Sequence, residues 1–187
     1  MPEPAWSNWS GSVRCSPRAI EEPQTEAALS SLVRRAGEQG STVRAVGAGH
    51  SSTGILIARD VLASLARIRG LQSHDASVPT ATLGPGTTVR EAGDDLLAVG
   101  LALEYLGDVD YQTVAGAIGT GTHGTGTRYP NISGQLIGGR LVTGTGEVIE
   151  LSAKRDPELL RAARVSLGTL GIFTAVRLRA RPLCQRG

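Results

Sequence analysis

The chain has 187 residues, with 19 Lys and Arg against 17 Asp and Glu, 40% hydrophobic and 3% aromatic residues. That length suits one well-buried domain or two small lobes, and the apolar content excludes a disordered chain. A net charge of +2 with both signs interspersed gives no electrostatic case for a nucleic-acid binder.

With a single Phe, the core must be aliphatic. The 25 glycines are nearly twice the average share of about 7%. They cluster between residues 47 and 146 without a period, which points to tight turns and close approach of backbone to a ligand. Cys15 and Cys184 stand near opposite ends, match no metal spacing, and read as free thiols of a reducing compartment. The N-terminus lacks the basic and apolar regions of a signal peptide. No apolar run approaches the ~20 residues that span a bilayer. The expectation is a cytoplasmic protein with no membrane association.

Residues 1–13 are polar and irregular apart from Trp6 and Trp9, and residues 14–22 read as a short strand or extended entry. Thr25 caps a helix with Ala28, Leu29, Leu32, Val33 and Ala36 on one face, and Gly40 ends it. A strand over residues 43–46 completes a βαβ-like unit and runs into Gly47-Ala48-Gly49-His50-Ser51-Ser52. Residues 61–68 read as a strand and 70–79 as a loop. After a strand over residues 80–83, Gly84-Pro85-Gly86 breaks the chain, and Thr88-x-x-Glu91 opens a helix as a capping box that Gly100 closes. Residues 106–126 form a glycine- and threonine-rich stretch with almost no charge. Residues 135–142 and 147–151 read as a hairpin, and Asp156-Pro157 starts a helix to about Ser166. The last strand alternates Ile172, Thr174, Val176, Leu178 and Ala180 with Phe173, Ala175, Arg177, Arg179 and Arg181, so one face is mainly apolar and the other turns basic. The class is α+β with two lobes: residues 1–75, residues 76–183, and a tail over 184–187.

The glycine turn at 47–51 makes a concave run of N–H groups suited to a phosphate. His50 on its rim is either a structural residue or a nucleophile and hydrogen-bond partner. Gly119-Thr120-Gly121-Thr122-His123-Gly124 satisfies G-x-G-x-x-G, but no helix can start at Thr125-Gly126-Thr127, so a Rossmann fingerprint is not supported. His50, His74 and His123 are not paired at helical spacing and find no carboxylate set, so a metal site is not expected. His74 reads as a solvated loop residue. Two glycine-rich turns, one per lobe and each flanked by hydroxyls, would suit a long two-ended cofactor lying in the seam. FAD has that shape.

The residues that carry a more specific likeness are Cys15-Ser16-Pro17, Arg44-Ala45-Val46-Gly47-Ala48-Gly49-His50-Ser51, Gly100-Leu101-Ala102-Leu103, Thr113-Val114-Ala115-Gly116, Thr120 to Gly126, and Ala163 to Gly171. With these in order, the chain resembles the FAD-binding domain (PCMH type) of the vanillyl-alcohol-oxidase superfamily. Within it the likeness is to the aldonolactone oxidoreductases, the gulonolactone and arabinonolactone oxidases or dehydrogenases, with alditol oxidases nearby.

The resemblance implies FAD bonded covalently through His50, with Gly47, Ala48, Gly49 and Ser51 binding it by backbone and hydroxyl contacts. From the second lobe it implies Thr113, Gly116, Thr120, Gly121, Thr122 and His123, with Asp108 and Ile172 in supporting places. Ser52 stands where such proteins often carry Pro or Phe, and Asp108 where they often carry Ser; neither change removes a group that the link needs. The resemblance also implies a substrate-binding domain of similar size after the last strand. On that basis the chain is expected to be a FAD-binding fragment that loads its cofactor but turns over substrate poorly and self-associates. The substrate would be an aldono-1,4-lactone or an alditol, and the electron acceptor oxygen or another oxidant. The other reading left open is a non-catalytic nucleotide-binding module.

Overall fold

A computed structural model describes residues 4–128 and 130–183; Tyr129, Cys184 and the rest of the tail lie outside the described residues. The chain opens with a short antiparallel pair, β1 (Trp6–Ser7) and β2 (Arg14–Cys15). Next come β3 (Ala19–Glu21), α1 (Glu26–Glu38), β4 (Val43–Val46) and β5 (Val61–Ser64). These strands form a parallel sheet in the order β3-β5-β4. A parallel pair needs a crossover to return the chain, and α1 supplies it. Thr25 caps α1 by accepting the Ala28 N–H at 3.1 Å. At the other end Gly40 takes the left-handed conformation at φ +65°, where a Cβ would be strained. Leu29, Leu32, Val33 and Ala36 are buried, as their spacing predicts.

The second group contains β6 (Leu71–Asp75), β7 (Thr80–Leu83), α2 (Val89–Ala98), β8 (Leu101–Leu103) and α3 (Val114–Gly119). It continues with β9 (Leu136–Val142), β10 (Val148–Ser152), α4 (Pro157–Ala163) and β11 (Ile172–Pro182). Its sheet runs β10-β9-β11-β7-β6, with β8 on the far end of β11 and every neighbour antiparallel. The mixture of helix with separate parallel and antiparallel sheets is the α+β class. Among the described residues no helix is long and apolar enough to cross a membrane.

Four local readings change. Residues 71–75 are a strand and not part of a loop: β6 pairs with β7 across a turn in which Asp75 accepts the Ser77 N–H at 2.9 Å. The sequence placed 71–75 with the first lobe; strand pairing puts them in the larger sheet. β6 is exposed along most of its length, His74 included, so it carries no alternation to read. The strand expected over 61–68 ends at Ser64, and the last helix ends at Ala163 instead of Ser166. The glycine-rich stretch contains a helix, α3, capped by Thr113, which accepts the Gly116 N–H at 3.3 Å. Burial of Val114, Ala117 and Ile118 outweighs the cost of two glycines, about 1 kcal/mol each.

The larger sheet has a continuous core beneath α2, α3 and α4, with Leu83, Leu96, Ile118, Leu136, Leu141 and Leu178 essentially inaccessible. The smaller sheet has two lesser clusters. One joins Leu29, Leu32, Val33, Ala63 and Leu65 to Val142 and Ile172 of the larger sheet. Polar contacts reinforce that joint: Ser30 donates to the Gly146 carbonyl at 2.5 Å, and Arg140 pairs with Glu26 at 2.7 Å. Thr174 also donates to the Glu26 carboxylate. β11 turns basic on one face from Arg177 onward, as the sequence leads one to expect. Its first half is buried on both faces, and a bulge between Phe173 and Ala175 shifts the register.

Candidate cofactor site

The Gly47–Ser51 turn leaves β4 at the edge of the small sheet and is held from two sides. From the N-terminal pair, the Trp9 N–H donates to the Gly49 carbonyl at 3.2 Å and Asn8 Nδ2 to the Ser51 carbonyl at 3.0 Å. Asn8 is itself fixed, its Oδ1 accepting the Val13 N–H at 3.0 Å. Gly49 is left-handed at φ +68°, and a Cβ there would meet the Trp6 ring at 3.0 Å. From the other lobe, Thr113 packs so closely that a Cβ on Gly47 would lie 2.1 Å from its Oγ1. Only glycine fits that seam.

The Trp9 indole stacks on the His50 imidazole with centroids 5.4 Å apart and planes 27° apart. Trp9 thereby packs over one face of the imidazole, and His50 lines the cavity described below. This bracing explains why two tryptophans stand in an otherwise irregular N-terminal segment.

Thr113 arrives by an antiparallel run along the start of α2, the Val89 N–H donating to the Gln112 carbonyl at 2.9 Å and the Val114 N–H to the Thr87 carbonyl at 2.8 Å. Thr88 and Glu91 complete the capping box, with the Thr88 N–H donating to Glu91 at 2.9 Å and the Glu91 N–H to Thr88 Oγ1 at 3.1 Å. Rigid local chemistry thus sets α3 opposite the Gly47 turn.

A cavity open to solvent lies between them. A third wall comes from the loop over residues 165–171 and the start of β11, the loop holding Val165 and Leu167 at positive φ and tied to α3 by the Leu167 N–H donating to the Gly119 carbonyl at 3.0 Å. The lining mixes Gly47, Gly49, Gly116, Gly119, Gly168 and Gly171 with apolar side chains at Val46, Ile55, Leu56, Leu167 and Ile172.

Of the residues singled out in the sequence, the structure brings Gly47, Ala48, Gly49, His50, Ser51, Thr113, Gly116, Thr120 and Ile172 to this one cavity. Gly121, Thr122, His123 and Asp108 do not line it. Thr122 bears on it indirectly, donating to the Gln112 side chain at 3.0 Å. His123 is exposed with Nδ1 3.0 Å from the Gly124 carbonyl, and Asp108 is exposed on the facing loop. Sequence reasoning passed over Arg44, Ile55, Leu56, Gln112, Gly119, Leu167, Gly168 and Gly171 as lining residues. Arg44, Leu167, Gly168 and Gly171 fall inside stretches quoted for the likeness; Ile55, Leu56 and Gln112 carry no local signal.

Two titratable groups support the scaffold. Burial pushes the Glu26 carboxyl up, but the Thr174 hydroxyl and Arg140 guanidinium outweigh it and hold the carboxyl below its usual range. The Thr42 backbone N–H and hydroxyl, at 2.9 and 2.8 Å, hold Asp60 below its usual range and tie the start of β4 to the start of β5.

A family model described as a FAD binding domain matches residues 17–152. The chain is 42% identical over 180 residues to an L-gulono-1,4-lactone dehydrogenase of Mycobacterium tuberculosis, covering 96% of this chain and 41% of that protein. It is 35% identical over 181 residues to a D-arabinono-1,4-lactone oxidase of Eremothecium gossypii, with coverages of 95% and 34%. It is 37% identical over 172 residues to a mitochondrial L-galactono-1,4-lactone dehydrogenase of Brassica oleracea, with coverages of 92% and 29%. The chain therefore spans about two-fifths or less of these relatives.

Proposed function

The chain belongs to the FAD binding domain family, and on that footing we propose that it is the cofactor-holding part of an oxidoreductase acting on the CH–OH group of an aldono-1,4-lactone. The observation that carries this reading is the cavity itself. Glycines line it from three separate segments, apolar side chains stand among them, and the His50 imidazole lines it too. Those features fit a dinucleotide with an isoalloxazine at one end. A lactone substrate is supported by the names of the relatives, each a lactone oxidase or dehydrogenase.

Bound FAD supplies the acceptor for the hydride that leaves the substrate carbon. The protein's part is positioning. Gly47, Ala48, Gly49 and Ser51 hold the cofactor from the first lobe, and Thr113, Gly116, Thr120 and Ile172 from the second. Thr122 backs this second wall through Gln112, while Gly121, His123 and Asp108 stand outside it. We assign to His50 a covalent bond between an imidazole nitrogen and the flavin 8α carbon. Forming it breaks one N–H and one C–H bond; the two electrons and two protons go to a two-electron acceptor such as dioxygen, which leaves as hydrogen peroxide. The groups that contact the lactone are assigned to sequence outside these 187 residues.

The test is direct. Chain loaded with FAD, denatured and precipitated, should keep flavin fluorescence in the protein band, and His50→Ala should lose it while still binding FAD reversibly. Colourless wild-type protein after that treatment would reject the covalent bond. A version extended to the relatives' length should have its flavin bleached by an aldonolactone faster than by alditols or simple alcohols; bleaching by none of them would reject the activity.

A further inference from the structure

Arg44 is the one fixed charge among the described residues lining the cavity; no carboxylate, lysine or second arginine borders it. Six arginines elsewhere are ion-paired. Arg18, Arg67, Arg69, Arg90, Arg140 and Arg179 each meet a carboxylate within 3.5 Å. Arg44 has no such ion pair and no hydrogen bond among the described residues, although it is half-buried. Its Nη1 reaches across from β4 to the opposite wall, 3.8 Å from where a Cβ on Gly168 would sit. An unpaired guanidinium bordering an otherwise uncharged cavity is a ready partner for an anion. Its planar fork matches phosphate oxygens.

We infer that Arg44 is the counter-charge for the phosphates of the ligand, and that it makes the cavity select a flavin dinucleotide over phosphate-free flavin. The inference rests on the flavin-binding reading. It adds that the charge is carried by one side chain on β4, so that the glycine turn provides shape and neutral N–H groups while Arg44 provides the charge.

The experiment uses the His50→Ala chain, in which binding is an equilibrium whether or not the covalent bond forms in the parent. FAD and riboflavin are titrated calorimetrically, with ADP and adenosine as competitors. Arg44→Met should weaken FAD by about tenfold or more, leave riboflavin unchanged, and abolish competition by ADP but not by adenosine. Arg44→Lys should keep most of the FAD affinity. Added NaCl should weaken FAD more steeply than riboflavin in the Arg44 chain and equally in Arg44→Met. Equal weakening of FAD and riboflavin, no change in either, or a matched loss of adenosine and ADP would overturn the assignment. If circular dichroism shows that Arg44→Met does not fold, the Lys variant and the salt comparison decide. Equal salt slopes for FAD and riboflavin then overturn it. An Arg44 chain that binds neither flavin overturns both this assignment and the flavin reading; FAD binding indifferent to Arg44 overturns the assignment alone.

Discussion

The two sheets that flank the cavity are built on different terms. The larger, antiparallel sheet buries a continuous aliphatic core and is covered by three helices. The smaller, parallel sheet has three short strands and one helix, and part of its apolar cluster, Val142 and Ile172, comes from its neighbour. Parallel strands need cover on both faces, and this sheet borrows some of its cover across the seam. The larger lobe is thus the platform. The smaller one is a presenting arm, held against it, that brings the Gly47–Ser51 turn to the cavity.

Cavity-forming substitutions should separate the two most sharply. Leu178→Ala removes a side chain from the centre of the large core and should cost about 2–5 kcal/mol, lowering hydrogen-exchange protection throughout the chain. Leu29→Ala is equally buried in α1. Its loss of protection should centre on β3, β4 and β5, with β9 and β11 retained. Uniform loss in both variants would show that the lobes open as one unit.

A second effect lies in the seam. Gly47→Ala drives a Cβ to 2.1 Å from Thr113 Oγ1 and should cost about 1–3 kcal/mol by overpacking. Pairing it with Thr113→Ala removes the closest clash, so the melting-temperature losses of the two single variants should sum to more than that of the double variant. Additive losses would mean that the lobes adjust independently.

The smallest effect concerns the polar joint. Glu26 is held below its ordinary value of 4.5 by Thr174 and Arg140 against the opposing effect of burial. A depressed carboxylate contributes stability above its unfolded pKa and loses it as pH falls through the folded value. Glu26→Gln should therefore be less stable than wild type by about 1 kcal/mol or less at pH 7. The gap should narrow as pH drops below 4.5. A gap independent of pH would assign the effect to packing instead of charge.

Much of this arrangement was legible beforehand. The caps at Thr25 and Thr88 and the glycines at 40 and 100 were read correctly because each depends on residues within four positions of one another. The turn at Gly47–Ser51 was visible for the same reason. The helix α3 was not, since its glycines and threonines disfavour helix locally and only burial of Val114, Ala117 and Ile118 against the large core pays for them. β6 was missed because an exposed edge strand has no apolar face to show.

The local chemistry of the sequence by itself determined where helices begin and end, which turns demand glycine, and that an imidazole stands on one of them. Tertiary structure alone decided which residues share the cavity. Arg44 and Gly168 are 124 positions apart, and nothing within a few residues of either announces the other. They meet because β4 pairs with β5 in one sheet while β11, which follows the 165–171 loop, pairs with β9 and β7 in another. The docking of α1 on the β9–β10 turn then holds the two sheets together. Caps and turns are satisfied by hydrogen bonds between near neighbours in the chain. A cavity wall is set by strand register and helix packing, which depend on the whole core at once.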